Sequence, residues 1–540
     1  MKRQDSSFTR AATARICALL CVAALSFLAS QSASAAVAET WVQRYGNVGS
    51  NATDWASQVV IDPAGDVIMA GYSSDGMGSS RRDMLVIKYS GASGSVLWQK
   101  LYNGPAHSYD AVAALAVDAD GNVVVTGPSY KTYSIDSDFY TAKYASLDGA
   151  LLWEKRYDGG NDRPTAMLLD GSGNVVVSGY SYAYTYPNVY TTNGRVWYMA
   201  KYASTNGALV WEKHHYGDEP NRSKAMAVDA SNNVLVAISD SPNAGYYRAK
   251  YAAADGALLW EKRDEGILGH PTPSYFFSGV AVDGSGNLVV AGSINNLTNY
   301  DGYTVKYAAA DGAVVWEKRF DGSSGTANGS AMAVDSSGNV VVTGRHYNLT
   351  AGIERFYTVK YAEADGTVLW DKRYAAGWNA VAVDKNGNVV VSGNTSTSGS
   401  GFDYAMAKYA SLDGALLWEK RFNGRSNDAD FTGTPRSLAL GPNGMVAVTG
   451  TSRDNILGPF SYATVVYREA LPSISLEMIP SGVRLYFTST PGSTSQIERA
   501  PSVSGPWDVI ANPVASASGL VEYLDTNRPH GTAFYRTRTP

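Results

Sequence analysis

From residue 41 to about 467 the chain repeats short apolar runs separated by polar turns. One unit reads AVAVD (380–384), VVVSG (389–393), YAMAKY (404–409) and ALLWEKRF (415–422), four strand-length runs with no stretch of helical period between them. The first two runs are almost continuously apolar, as in strands covered on both faces. The fourth alternates, with Leu151, Trp153 and Tyr157 opposing Leu152, Glu154 and Arg156, as in a strand with one face in water. Each unit therefore predicts a four-stranded sheet with inner and outer strands.

The fourth runs carry Trp41, Trp98, Trp153, Trp211, Trp260, Trp316, Trp370 and Trp418, at intervals of 48 to 58 residues. Periods near 50 indicate propellers or solenoids. Between the first and second runs stands D-x-x-G-N, as in Asp118 to Asn122; its fourth place needs a left-handed backbone, which Gly, and Asn232 in one repeat, tolerate. Between the third and fourth stands Asp-Gly or Asn-Gly, read as a two-residue hairpin turn. That turn would set Lys143 opposite Glu154, and likewise Lys201 and Glu212, Lys250 and Glu261, Lys306 and Glu317, Lys360 and Asp371, Lys408 and Glu419. The recurring charges then read as cross-strand pairs. The last unit ends at its third strand (462–467), where Val466 interrupts the lysine pattern, while residues 41–46 form a fourth strand with no third before it. If the N-terminal strand completes the last sheet, eight four-stranded blades close into a ring with no free edge.

Composition sharpens this picture. The 540 residues include 54 glycines and 36 tyrosines, suiting many short strands, and 44 Lys+Arg against 49 Asp+Glu argue against a nucleic-acid partner. Lys2, Arg3, Arg10 and Arg15 precede an apolar run from Ile16 to Ala29 and Ala33-Ser34-Ala35, the layout of an export leader, too short to span a bilayer. Cleavage after Ala35 removes four of the positive charges, Asp5 and both cysteines, leaving a secreted, extracellular or periplasmic chain of net charge −8 without thiols. No membrane span is expected in it, and the chain is read as a monomer.

AVAVDxxGNVVVTG, an aspartate opening the third strand (Asp83, Asp138, Asp301, Asp403) and a terminal W-x-K resemble the β-propeller repeat of exported bacterial proteins. Gly-x-x-x-Trp, as in Gly149 to Trp153, is similar to the tryptophan-docking motif of quinoprotein-dehydrogenase-like (PQQ-like) propellers, also eight-bladed. The chain departs from that motif at Ala145 and Asp148, and its mature part lacks the vicinal cysteine pair of those dehydrogenases. The resemblance implies an all-β, eight-bladed propeller over residues 36–468 and no quinone cofactor; calcium held by loop oxygens is left open.

After Leu471-Pro472 the periodicity changes, and ISLEMIP, GVRLYFTS, SQIERA, WDVI, GLVEYLD and AFYRTR predict a small β-sandwich-like module over residues 469–540. It is read first as a cap for the ring, with surface attachment or glycan binding as alternatives.

Function is expected on the face carrying the variable loops. There Tyr182, Tyr184, Tyr186, Asn188, Arg195 and Trp197 cluster in one long loop, a mixture suited to stacking on sugars or on a partner protein. His270 with Tyr275, and His346, fall on what read as other variable loops; neither histidine has a spacing partner for a metal. No nucleophile elbow, phosphate loop or His-Glu-x-x-His occurs. The expectation is a non-enzymatic binding or scaffold protein for a polysaccharide or an extracellular protein, with no catalytic residue assigned. The alternative is a glycan-cleaving hydrolase or lyase, or a quinone-dependent oxidoreductase, using the central funnel.

Overall fold

The computed structural model describes residues 37–46, 53–74, 81–132, 136–182, 195–216, 223–239, 246–264, 275–295, 300–320, 325–348, 353–374, 377–396, 402–423, 437–453, 460–469, 475–479, 481–489, 493–516, 520–527 and 533–538. The expected leader, residues 1–35, lies outside them. Among the described residues no helix is long and apolar enough to cross a membrane.

Eight four-stranded sheets follow one another along the chain. Blades 1 to 7 occupy residues 55–102, 114–157, 161–216, 223–264, 275–320, 325–374 and 377–422. Blade 8 contributes Leu438–Gly441, Met445–Arg453 and Phe460–Glu469, and its fourth strand is Val37–Tyr45 from the start of the chain. The first strands of neighbouring blades touch all the way round, blade 8 against blade 1 included. This is the eight-bladed propeller closed by its N-terminal strand that the repeats predict.

The D-x-x-G-N turn folds as expected, with Gly121 at φ +81 and Asn232 at φ +64. Asp118 Oδ1 accepts the Asp120 and Asn122 N–H groups, and Oδ2 accepts the Asn122 amide.

The turn between third and fourth strands corrects the sequence reading. It spans four residues, 146–149, closed by Ala145 N–H to Ala150 O (2.8 Å) and Gly149 N–H to Ala145 O (3.0 Å). Only Gly149 is left-handed, at φ +67, because the Asp148 carboxylate satisfies the Ala150 N–H (2.9 Å). A bulge follows, so Lys143 pairs with Trp153 and Ala142 with Glu154. Lys201, Lys250, Lys306, Lys360 and Lys408 likewise pair with tryptophans. The expected Lys–Glu pairs do not form.

The lysines instead reach inward to the first aspartate of their own blade's D-x-x-G-N turn. Seven such pairs form at 2.6 to 2.9 Å, from Lys88–Asp62 to Lys408–Asp384. In blades 2 to 5 the glutamates after the tryptophans accept tyrosine hydroxyls, Tyr140 to Glu154 (2.8 Å) being one. Blade 8 lacks both members of the buried pair, with Gly441 and Val466 in the two places. Keeping one alone would leave an uncompensated buried charge.

Six of these lysines, Lys88 to Lys360, also hold the following blade. Lys143 Nζ and Trp153 Nε1 both donate to Ser204 O (3.0 and 3.1 Å), while the Ser204 N–H donates to Asn174 Oδ1 (3.1 Å). Asn174 is bonded to Asp170, and Asp170 to Lys201, which repeats the clasp on Ala253 O. The indole lies on the turn glycine of that next blade: a Cβ built on Gly207 would come within 2.8 Å of Trp153. An indole removes roughly 150–250 Å² from water, on the order of 4–6 kcal/mol. The apolar clusters sit accordingly between blades, each carrying one of these tryptophans.

Residues 39–468 form one compact unit, and the described residues from 469 onward belong to another. In the second, Ser475–Ile479, Gly482–Thr488 and Leu520–Asp525 form one sheet, and Asp508–Ala511, Gln496–Ala500 and Phe534–Arg538 the other. Val483, Leu485, Phe487, Ile497 and Val521 fill its core. Arg499 and Tyr535 of the second sheet bind Asp525 of the first, both at 2.8 Å.

Two predictions follow from the clasp. Lys201→Met strands Asp170 and is expected to destabilise the protein by about 3–5 kcal/mol; adding Asp170→Asn should recover part of that loss, read from denaturant midpoints. Gly207→Ala and Gly286→Ala impose the same left-handed strain, but only the former meets an indole; the nearest atom to a Gly286 Cβ is Ala309 Cβ at 3.5 Å. Gly207→Ala should therefore lower the melting temperature clearly more than Gly286→Ala.

Candidate functional site

The short turns occupy one face of the ring; at the opposite ends of the strands, blades 1 to 3 share a feature the rest lack. Eight residues before the first aspartate of each D-x-x-G-N turn stand Asp54, Asp110 and Asp162, exposed by 0, 1 and 0 %. Asp110 Oδ2 accepts the Gly104 N–H (2.7 Å) and Asp162 Oδ2 the Gly159 N–H (2.8 Å), so each carboxylate ties down the chain segment entering its blade.

In front of Asp110, segment 103–110 is fixed across two blades. Arg82 of blade 1 donates its N–H to Ser108 O (2.8 Å) and accepts the Asp110 N–H (2.6 Å), while the Ala106 N–H reaches Tyr130 O (3.3 Å). His107 stands exposed in this segment in the left-handed region, at φ +47, an unusual conformation for a non-glycine. On this support lies a ladder of side chains. The Arg82 guanidinium is 4.3 Å from the Tyr72 ring centre and 5.3 Å from that of Tyr109; Tyr109 meets Tyr130 edge-on at 5.5 Å; Arg163 Nη2 donates to the Tyr130 hydroxyl (3.1 Å).

Beside it, Asp138 is fully buried between Arg156 (2.9 Å) and Lys131 (3.1 Å), and Lys131 also pairs with Asp158. Arg156 donates further to Ser129 Oγ (2.8 Å) and to the Tyr102 hydroxyl. Burial pushes the Asp162 carboxyl up to about 7, helped by Asp138 and Asp158 and opposed by Ser181 and the Gly159 N–H. Burial likewise raises Asp110, against Ser129, the Gly104 N–H and Arg156. Desolvated carboxyls beside specific charges mark functional sites with more than random frequency.

Among the described residues, Asp136, Asp138 and Asp158 are the group whose carboxylates lie close enough to hold a metal ion. Lys131 and Arg156 already pair with two of the three, Asp138 and Asp158, which disfavours a calcium ion or a calcium-bound quinone there. On the opposite face a recess of about 440 Å³ opens between the first strands of blades 8, 1 and 2. Its carboxylates, Asp62 and Asp118, are bound by Lys88 and Lys143, and the remaining walls, such as Ile61, Val117 and Leu440, are apolar.

The residues singled out from the sequence are spread over three blades. Tyr182 ends the second strand of blade 3, half-buried and edge-on to Tyr180 at 5.4 Å. Arg195 opens the third strand, paired in register with Tyr182. Tyr184, Tyr186, Asn188 and His270 lie outside the described residues. Trp197 is not a loop residue: it lies two residues into that third strand, 1 % exposed, in the core between blades 3 and 4, and is unavailable for stacking on a ligand. The tyrosine-rich run conceals the strand boundary, because aromatics suit both a recognition loop and a buried strand. Tyr275 opens the first strand of blade 5 and pairs with Ile294. His346 also sits within a strand, in blade 6, half-buried and edge-on to Phe320 at 6.5 Å. Arg82, Tyr109, Tyr130 and Arg163 escape the sequence reading, although Asp54, Asp110 and Asp162 recur in register and mark the three blades concerned.

The site gives a pH prediction. The folded pKa of Asp162 lies above that of an unfolded aspartate near 3.9, so its favourable contribution is complete below about pH 4 and is lost as pH rises through about 7. Asp162→Asn should be the more stable protein at pH 8, by about 4 kcal/mol, with the gap narrowing as pH falls and closing towards pH 4 in parallel thermal melts.

No protein of curated function matches the chain in sequence. Among solved structures it is similar to BamB from Moraxella catarrhalis, at 15% identity and TM-score 0.41 over 80% of this chain and 98% of that one. It is also similar to quinohemoprotein alcohol dehydrogenase from Comamonas testosteroni, at 12% identity and TM-score 0.48 over 81% and 77%. A third is polysaccharide lyase Uly1, at 10% identity and TM-score 0.42 over 66% and 89%. The model of the family described as outer membrane protein assembly factor BamB matches residues 40–236 and 247–500. The chain, an eight-bladed propeller with a tryptophan in each fourth strand, belongs to that family.

Proposed function

We propose that the protein is an exported, non-enzymatic binding propeller whose loop-bearing face over blades 1 to 3 holds a polysaccharide or a protein partner outside the cytoplasm. The propeller proper takes up residues 36–468, the module 469–540 is an appendage to it, and the chain acts as a monomer. The observation that carries this reading is the pre-fixed platform of segment 103–110, tied to two blades and bearing half-buried Tyr72, Tyr109 and Arg82. A surface already ordered before binding loses little entropy on association. The family description, an assembly factor, supports a role in holding partners. The chemistry of the described carboxylates supports it too, because Asp138 and Asp158 are engaged by basic groups of the chain itself.

One observation favours turnover instead. Asp162, titrating at about 7, has the acidity of a general acid or base in glycan cleavage. Its complete burial beneath the strand ends counts against contact with a substrate.

Thermal melts of residues 36–540 against oligosaccharides, calcium alone, and calcium with pyrroloquinoline quinone test the reading, with product analysis in each sample. A native-state ligand at 100 times its Kd stabilises by about 2.7 kcal/mol. The expected result is a rise with one glycan class and no product. Glycan fragments, or a rise only with quinone and calcium, would overturn the proposal.

A further inference from the structure

The ladder on blades 1 to 3 has a chemistry of its own. Arg82 and Arg163 are held by tyrosines, and neither guanidinium meets a carboxylate among the described residues. Of the carboxylates nearby, Asp110 and Asp162 are buried and bonded to backbone N–H groups, Asp138 is buried between Arg156 and Lys131, and the exposed Asp158 is paired with Lys131. What faces solvent here is therefore cationic and aromatic, on a chain of acidic overall charge. Tyr72, Tyr109, Arg82 and Arg163 are half-buried, with the more deeply buried Tyr130 as the floor between the two guanidiniums.

We propose that this ladder is a binding subsite for an acidic polysaccharide, with sugar rings stacked on Tyr72 and Tyr109 and their carboxylates paired with Arg82 and Arg163. The inference rests on the reading of this face as a binding surface and names its ligand class. Guanidinium forks pair two-point with carboxylates, and flat rings suit the faces of sugars. The two basic groups stand at opposite ends of a run of tyrosines across three blades, which suits a linear polymer with charge repeated along it. A peptide added as a strand would need free backbone N–H and C=O groups. Here the backbone groups around the ladder bond one another: Arg82 with Ser108 and Asp110, His107 with Gly104, and Tyr130 with Ala106 and Tyr109. Recognition is left to side-chain faces.

The test is affinity electrophoresis and titration calorimetry of residues 36–540 with polygalacturonate, a neutral glucan and poly-glutamate, repeated on Arg82→Gln, Arg163→Gln, Tyr109→Ala and the ring-preserving Tyr109→Phe. Arg421→Gln, an exposed arginine paired with Glu419 on blade 7, is the control. Polygalacturonate should bind and weaken with rising salt. Each arginine variant and Tyr109→Ala should weaken it at least tenfold, while Tyr109→Phe and Arg421→Gln stay near the parent. Equal binding of polygalacturonate by all variants would overturn the subsite and leave the binding reading standing. Equal or tighter binding of poly-glutamate, with the same dependence on Arg82 and Arg163, would overturn the ligand class and point to an acidic protein segment. Binding of neutral glucan alone, or of none of the three polymers, would overturn the proposal. The wider reading fails separately, through product formation or a response only to quinone with calcium. Arg82→Lys, which keeps charge without the fork, covers the case in which Arg82→Gln fails to fold: an affinity equal to the parent would contradict paired recognition.

Discussion

In the turns between third and fourth strands of blades 2 to 7, a single residue carries the architecture. Its carbonyl receives the indole N–H and the ammonium of the preceding blade, as Ser204 O does from Trp153 and Lys143, and its N–H is held by the asparagine of its own blade. That asparagine is bonded to an aspartate, which fixes the next lysine, so the contact passes from blade to blade as a belt. The belt explains why charged residues lie in an otherwise apolar interior. Each lysine of blades 1 to 6 has a carboxylate and a carbonyl, and buried charge is tolerable only when so compensated. In blades 2 to 6, the aspartates Asp118, Asp170, Asp229, Asp283 and Asp335 are held below the ordinary carboxylate range: burial pushes each up, and its lysine and asparagine partners outweigh that push. Their contribution is present above about pH 4 and is lost as acid protonates them.

Blade 8 shows what the belt requires by omitting it. Gly441 replaces the aspartate and Val466 the lysine, and a Cβ on Gly441 would meet Ile61 of blade 1 at 2.9 Å, so apolar packing fills the place of the pair. Arg468 takes over the reach to the next blade, donating to Gly91 O at 2.9 Å beside Trp41. The ring is thus closed at a junction joining the two ends of the repeat by an indole and a guanidinium in place of the usual indole and ammonium.

The loop-bearing face depends on this frame. The segments entering blades 2 and 3 are pinned by Asp110 and Asp162, and these carboxylates can be buried because strands on both sides are already fixed. The cost of burying them appears as raised pKa values, and the gain is a surface whose aromatic and guanidinium groups are ordered in advance.

Much of the fold is legible in the sequence because its signals are local and repeat eight times. Apolar period marks the strands, D-x-x-G-N marks one turn, and the missing last strand marks the closure by Val37–Tyr45. The register after Asp148-Gly149 is not legible, since the dipeptide suits both a two-residue turn and the observed four-residue turn with its bulge. Lysine partners follow from that register. The site was less legible still: Trp197 ends a tyrosine-rich run of sequence, yet the strand turns it into the core. Arg82, Tyr109, Tyr130 and Arg163 are scattered along the chain and meet only because blades 1, 2 and 3 are neighbours in the ring. The sequence alone determined the repeat, the blade count and the closing strand, because each is written in short local motifs that can be counted along the chain. The tertiary structure decided which charges pair and which side chains share a surface, because those depend on register and on contacts between blades.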